Sequence, residues 1–129
     1  MSGMPADPAS AVYSDAIRER WRRPRYRGEL PGATAVAEDV NPLCGDRVRI
    51  ALAVDIGGIA DARFSGDSCA ICAASADVLM EKIHGASVEA ARAVSAPDVQ
   101  ATLRASIRPT RMRCLTLPLS VLGKALDAS

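Results

Sequence analysis

The chain has 129 residues, of which 49% are hydrophobic, and this is the size of one ordinary domain with a usable core. Its 16 basic and 15 acidic residues leave a net charge of +1, so no overall field favours nucleic acid or an anionic membrane as a partner. No apolar run approaches the roughly 20 residues of a membrane-spanning helix, and no export signal opens the chain. With four cysteines, these features predict a cytoplasmic protein whose thiols serve metals or catalysis.

The first 30 residues contain an arm, a helix and a basic loop. Residues 1–10 are rich in proline and small residues without periodicity, which predicts a disordered arm ahead of a single domain over residues 11–129. A helix is predicted over residues 12–23, ending at Pro24, with one packed face. That face consists of Val12, Ala16, Ile17 and Trp21.

The arginines near the start of the chain are interleaved with two aromatic residues, Trp21 and Tyr26, which is also the composition of a nucleic-acid patch. The arginines are Arg18, Arg20, Arg22, Arg23, Arg25 and Arg27. Because the net charge is close to zero, we favour a solvated helix face with ordinary packing of Trp21, and nucleic acid is not expected as a partner.

The middle of the chain has the alternating pattern of β-strands. A short strand is predicted around residues 33–37, and apolar residues alternate with polar or small ones over residues 48–54 and 60–65. Because Gly57 and Gly58 separate the last two runs, these strands are predicted to form a hairpin.

Helical periodicity begins after the hairpin. One helix is predicted over residues 71–83, ended by His84 and Gly85, and His84 is expected at the surface. Shorter helices are predicted after Ser87 and after Pro97. A last helix is predicted to begin shortly after Cys114, because Pro118 fits only in the first turn of a helix.

Three cysteines and one aspartate suggest a site. Cys44 and Asp46 are two positions apart, so their side chains are expected to converge if a strand follows the turn at Pro42 and Gly45. Cys69 and Cys114 fall at predicted helix starts, where the helix dipole lowers the pKa of a thiol. Three sulfurs and one oxygen suit tetrahedral zinc or an iron–sulfur cluster. The spacing alone leaves buried, inert cysteines equally open.

Three segments carry a resemblance to a known family. Residues 41–47 (NPLCGDR), 66–76 (GDSCAICAASA) and 111–114 (RMRC) resemble, in this order, the three cysteine motifs of the IscU/SufU/NifU N-terminal family of iron–sulfur cluster assembly proteins. Residues 13–30 are similar to the opening helix of that family and to the turn after it. The resemblance therefore covers all but the first ten or so residues.

The resemblance implies an α/β (α+β) domain of the SufE/IscU type, with a small three-stranded antiparallel sheet packed against helices. It implies that Cys44 accepts sulfur as a persulfide from a cysteine desulfurase. A labile [2Fe-2S] cluster or Zn²⁺ would be held by Cys44, Asp46, Cys69 and Cys114 and passed to recipient apo iron–sulfur proteins. The arginines near the start of the chain would then be a second candidate surface, for docking an acidic patch of the desulfurase.

Two branches of the family remain open. Arg113 stands where IscU-type scaffolds carry a histidine, and Arg111 resembles the SufU branch, whose members relay sulfur through a zinc-bearing site. However, the 45 positions from Cys69 to Cys114 leave little room for the insertion that SufU proteins carry there. The alternative to a non-enzymatic scaffold is therefore a zinc-dependent sulfurtransferase that stimulates its desulfurase. A structural zinc domain is disfavoured by Asp46.

Cys72 is unusual for this family, in which a small or polar residue is the rule at its position. With Cys69 it makes a Cys-x-x-Cys at a helix start, the pattern of a thioredoxin-like redox pair. Because nothing nearby resembles the rest of a thioredoxin unit, we interpret Cys72 as a small core residue, with an auxiliary thiol as the alternative. Arg111 and Arg113 are likewise interpreted as auxiliary to the site.

Overall fold

The computed structural model describes residues 14–129, so the predicted arm and Val12 lie outside the described residues. The helices are α1 (Asp15–Arg22), α2 (Ala70–Ile83), α3 (Val88–Ala93), α4 (Ala96–Leu103) and α5 (Met112–Asp127), with a 3₁₀ turn at Pro109–Arg111. The strands are β1 (Ala35–Val40), β2 (Arg47–Asp55) and β3 (Gly58–Ser65). The predicted α+β class with a three-stranded antiparallel sheet is confirmed.

The sheet has the order β1-β2-β3, with both neighbouring pairs antiparallel. Ile50 lies at its centre, opposite Ala37 on one side and Phe64 on the other. The predicted hairpin is confirmed, with its turn at residues 56–57. One face of the sheet is buried through the alternating apolar positions of β2 and β3, and this face packs into the core.

The helix α2 is buried almost all round rather than on one stripe. Eleven of its 14 residues are buried, so it forms the centre of the core. Two of the buried residues are polar: the Ser75 hydroxyl donates to the Ile71 carbonyl at 2.7 Å, and Asp77 is fully buried. No helix among residues 14–129 is long and apolar enough to cross a membrane.

Asp77 anchors the N-terminal segment to α2. Its Oδ1 accepts the backbone N–H groups of Arg25 and Tyr26, each at 2.8 Å. Its Oδ2 lies 3.0 Å from Nη1 of Arg20, which also reaches Glu81 at 2.8 Å. Arg20 is therefore committed to a buried ion pair and is not part of an open basic surface.

The position of Trp21 corrects the prediction for α1. The cap Ser14, whose hydroxyl accepts the Ile17 N–H, begins the helix, and Ile17 is fully buried. Trp21, expected on the packed face, is 51% exposed. Asp77 accepts the N–H groups of Arg25 and Tyr26 and so fixes the chain just after α1, and in this position the side chain of Trp21 lies at the surface.

The start of α5 also corrects a prediction. The helix begins at Met112, ahead of Cys114, and Pro118 lies in its interior rather than in its first turn. Proline has no N–H, so the carbonyl of Cys114, four residues earlier, loses its helical partner. Pro118 is buried, so the loss of this hydrogen bond is offset by packing of the proline ring in the core.

Candidate metal and sulfur site

A closed loop before β2 separates Cys44 from Asp46. Asn41 donates its N–H to the Asp46 carbonyl and accepts the Gly45 N–H at its own carbonyl, both at 2.7 Å. Gly45 has φ +78°, a conformation that favours glycine. Cys44 is exposed whereas Asp46 is 7% exposed, so the two side chains differ in burial, and their expected convergence stays a prediction.

Cys69 is the N-cap of α2, so its predicted place at a helix start is confirmed. Its backbone is extended (φ −69°, ψ 167°), and its Sγ accepts the N–H of Cys72 at 3.4 Å. Its own N–H donates to Oδ1 of Asp46 at 3.0 Å. The N-cap residue of α2 is therefore hydrogen-bonded, through its backbone N–H, to the carboxylate just before β2.

Cys114 brings a second helix start to the same place. It is the third residue of α5, is 3% exposed, and its Sγ lies 3.7 Å from Oδ2 of Asp46. One ligand atom from each of Asp46, Cys69 and Cys114 lies within 4.8 Å of the other two. Among residues 14–129, no other group of three or more such side chains approaches this closely.

The pKa of Cys114 differs from the expectation for a helix start. Burial, followed by the neighbouring Cys69 and Asp46, raises the pKa of Cys114 to about 12. The pKa of Cys72 is also raised, first by burial and then by Asp46. Desolvation and the nearby carboxylate outweigh the helix dipole, so these thiols keep their protons at neutral pH unless a cation replaces them.

Cys44 lies outside the group of three but opens onto the same space. A cavity of about 580 Å³ is lined by both Cys44 and Cys114, together with Leu43, Arg111 and Arg113. Arg113 is exposed and Arg111 is half-buried. Cys114 therefore connects the Asp–Cys–Cys group to a cavity that an exposed thiol, Cys44, and two arginines also line.

The remaining candidates lie elsewhere. Cys72 is fully buried in the hydrophobic core, as its interpretation as a core residue predicts. His84 is exposed at the end of α2, where its Nε2 lies 3.1 Å from the Ala60 carbonyl. Asn41, which closes the cysteine loop and is 9% exposed, is a residue that the sequence patterns did not single out. The dipeptide Asn41-Pro42 was the available signal, because asparagine before proline favours a turn.

The fold and this group define a small α+β protein with a cysteine–aspartate candidate metal site. The model of the NifU-like N terminal domain matches residues 12–128, and the chain belongs to this family. The predicted membership in the IscU/SufU/NifU family of iron–sulfur cluster scaffold proteins is therefore confirmed.

The similar proteins include both branches of the family. The chain is 30% identical over 132 residues to the zinc-dependent sulfurtransferase SufU of Bacillus subtilis, covering 89% of each protein. It is 40% identical over 78 residues to the scaffold protein IscU of Thermotoga maritima, covering 60% of this chain and 55% of that protein. In structure it resembles a putative iron–sulfur cluster assembly scaffold protein for the SUF system from Fervidobacterium islandicum. That likeness has a TM-score of 0.76 and 27% identity, and covers 88% of this chain and 96% of the other.

Proposed function

We propose that this protein is an iron–sulfur cluster assembly scaffold that accepts sulfur at Cys44 and holds a labile [2Fe-2S] cluster or metal for transfer. The ligands would be Cys44, Asp46, Cys69 and Cys114. The observation that carries the proposal is the 4.8 Å grouping of Asp46, Cys69 and Cys114, together with the cavity that Cys114 shares with Cys44. The sulfur donor would be a cytoplasmic cysteine desulfurase, and the recipients would be apo iron–sulfur proteins.

The donor set suits a group that has to leave again. Two thiols bind zinc or iron strongly, and a single carboxylate supplies a weaker oxygen ligand. The three grouped ligands leave one position of a tetrahedral metal for Cys44 or for incoming sulfide. A bound cation would neutralise the thiolates and replace the protons that burial retains on Cys114. Metal binding is therefore expected to release protons.

Cys44 is suited to sulfur acceptance because it is exposed on a loop, whereas Cys114 is buried. Its thiolate would attack the outer sulfur of a desulfurase persulfide, forming a new S–S bond while the desulfurase cysteine leaves as a thiolate. The resulting persulfide on Cys44 is anionic. Arg111 and Arg113 line the same cavity and would stabilise this negative charge.

A zinc-dependent sulfurtransferase is the second candidate, using the same residues. Two observations favour it: the donor set also fits tetrahedral zinc with one exchangeable position, and the Bacillus subtilis relative that matches 89% of this chain is a zinc-dependent sulfurtransferase. In this case zinc would stay bound while Cys44 carries the sulfur.

Anaerobic reconstitution separates the two candidates. The protein is incubated with ferrous iron, cysteine and a cysteine desulfurase, and visible absorption is followed while bound zinc and iron are measured on the same sample. A cysteine-ligated cluster that passes to an apo-ferredoxin establishes a scaffold. Retained zinc, no chromophore and faster sulfide release establish a sulfurtransferase. If neither metal nor sulfur is retained, both candidates are wrong.

The variant Asp46→Ala sharpens the result. A scaffold lacking its weak oxygen ligand should hold its cluster longer and transfer it more slowly, a result that a structural zinc site, which carries no cluster, cannot give. Asp61→Ala is the matched control, because Asp61 is a half-buried carboxylate on β3 whose partner is Arg63. Equal effects of the two substitutions on cluster lifetime would contradict a role for Asp46 as a ligand.

A further inference from the structure

Cys72 is a thiol that the proposed function leaves without a role. It is fully buried at the third position of α2, and its N–H donates to Sγ of the N-cap Cys69. The side chains of the N-cap and third helical residues are neighbours, which is the basis of the capping box. One turn of helix therefore holds these two cysteines next to each other.

The geometry suits a disulfide between Cys69 and Cys72. Residues three apart at a helix start have the Cα separation that a disulfide needs, so only side-chain rotation is required. Cys114 is the other close thiol: its Sγ lies within 4.8 Å of the Cys69 Sγ and 3.7 Å from Oδ2 of Asp46. A bond to Cys114 would join two helices, α2 and α5, whereas a bond to Cys72 stays within one turn of α2.

The two thiols differ in their access to solvent. Cys69 is half-buried, whereas Cys72 has no exposed surface. A small oxidant in solution therefore reaches Cys69 first and meets Cys72 only through it. A solvent-accessible cysteine with a second cysteine next to it is the arrangement of a peroxide-reactive residue and its resolving partner.

We propose that Cys72 is the resolving thiol of Cys69 and protects it from irreversible oxidation by peroxide. Hydrogen peroxide oxidises the Cys69 thiol to a sulfenic acid, and one water leaves. The Cys72 sulfur then attacks the Cys69 sulfur, so that an S–S bond forms and the S–O bond breaks. The hydroxide leaves with the Cys72 proton as a second water. Two thiols have lost two electrons to one peroxide, and a dithiol reductant reverses the change.

The consequence for the site rests on the proposed function, in which Cys69 is a ligand. Disulfide formation removes this ligand and releases the metal, but it stops oxidation before the irreversible sulfinic acid. A dithiol then restores the site. Without Cys72, the sulfenic acid of Cys69 has no adjacent thiol on its own helix and is oxidised further.

The first test uses the metal-free full chain with stoichiometric hydrogen peroxide, followed by alkylation, trypsin and mass spectrometry. Cleavage after Arg63 and Lys82 gives one peptide, residues 64–82, that contains both Cys69 and Cys72 and no other cysteine. We expect this peptide to be unalkylated and lighter by two hydrogen atoms, and to be restored by dithiothreitol. Peptides joined through Cys114 or Cys44, or sulfinic acid on Cys69 in the unmodified chain, would overturn the proposal.

Two variants complete the test. In Cys72→Ser, Cys69 should reach the sulfinic acid under conditions in which the unmodified chain forms the disulfide, with circular dichroism confirming the fold. Cys44→Ser is the matched control and should give the same 64–82 product as the unmodified chain.

Zinc binding then tests the consequence separately. After peroxide and dithiothreitol, the unmodified chain should regain its zinc capacity, and Cys72→Ser should regain less than about half of it. Equal recovery in both proteins would refute protection by Cys72. If neither protein binds zinc before oxidation, the proposed metal site fails, while the peptide result still decides the disulfide.

Discussion

Asp46 and Asp77 are two buried carboxylates with different surroundings. Asp77, in the middle of α2, accepts two backbone N–H groups and faces the guanidinium of Arg20. Asp46, before β2, accepts the backbone N–H of Cys69 at Oδ1, and its Oδ2 lies 3.7 Å from the weakly donating thiol of Cys114. The first carboxylate is paired with a guanidinium and two N–H groups, and the second faces two cysteines.

This difference gives the two carboxylates different roles: Asp77 is a structural anchor, and Asp46 belongs to the candidate site. A buried carboxylate with a cation and several N–H donors is already compensated, and it ties segments of the fold together. Asp46 instead lies beside two thiols, and its Oδ2 is directed at the sulfur of Cys114. Asp77 therefore stabilises the fold, and Asp46 is the carboxylate that we propose as a metal ligand.

The largest expected effect follows from removing the anchor. Asp77→Ala should lower the free energy of unfolding by about 3 kcal/mol, because two N–H donors and the half-buried Arg20 lose their partner, although Glu81 retains part of the ion pair. Urea unfolding measures the change. The control Asp15→Ala removes a carboxylate that is 97% exposed and should change stability by less than about 0.5 kcal/mol. Equal losses in the two variants would remove the distinction.

Removing Asp46 should lower the free energy of unfolding less than removing Asp77 does, but it should weaken zinc binding. In the metal-free protein, Asp46→Ala loses one hydrogen bond to the start of α2, which is worth about 1 kcal/mol. The pKa of Cys114 should fall below about 12 because the nearby carboxylate contributes to raising it. Zinc affinity should fall at least about tenfold. Ultraviolet titration of the thiolate and a zinc competition assay measure the two effects, and unchanged zinc affinity would show that Asp46 is not a ligand.

The ion pairs around the anchor make the fold sensitive to acid. The hydrogen bond and charge of Arg20 hold the pKa of Glu81 below its usual 4.5. A carboxyl whose pKa is lower in the folded state contributes stability above the unfolded value, and this contribution is lost as the pH falls from 4.5 through the folded value. Glu81→Gln should therefore lose less stability than the unmodified chain over this acidic range. Parallel curves of unfolding free energy against pH for the two proteins would contradict the pairing.

The smallest effect is expected at Trp21. Because this side chain is 51% exposed, Trp21→Ala should cost less than about 1 kcal/mol and should leave zinc binding unchanged. Thermal unfolding measures the first quantity. The same variant tests the interpretation of the neighbouring arginines as a solvated face: neither protein should bind a random oligonucleotide in a strongly salt-dependent way.

The local predictions succeeded where one pattern dominates. The hairpin followed from alternation on both sides of Gly57-Gly58, and Cys69 was placed at a helix start by the change from period two to helical spacing. The prediction for Pro118 was wrong because proline is tolerated in the interior of α5 when tertiary packing offsets the missing hydrogen bond. The prediction for Trp21 was wrong because the chain is positioned by Asp77, a residue 56 positions later in the sequence.

The sequence by itself determined the class of fold, the family and the set of chemically active residues, because these depend on periodicity, turn residues and the order of three cysteine motifs. Only the tertiary structure decided which of these residues meet. Asp46 joins Cys69 and Cys114 because the starts of β2, α2 and α5 converge, whereas the loop closed by Asn41 directs Cys44 outward. The environment of a side chain, including the raised pKa of a buried thiol, comes from packing between segments distant along the chain.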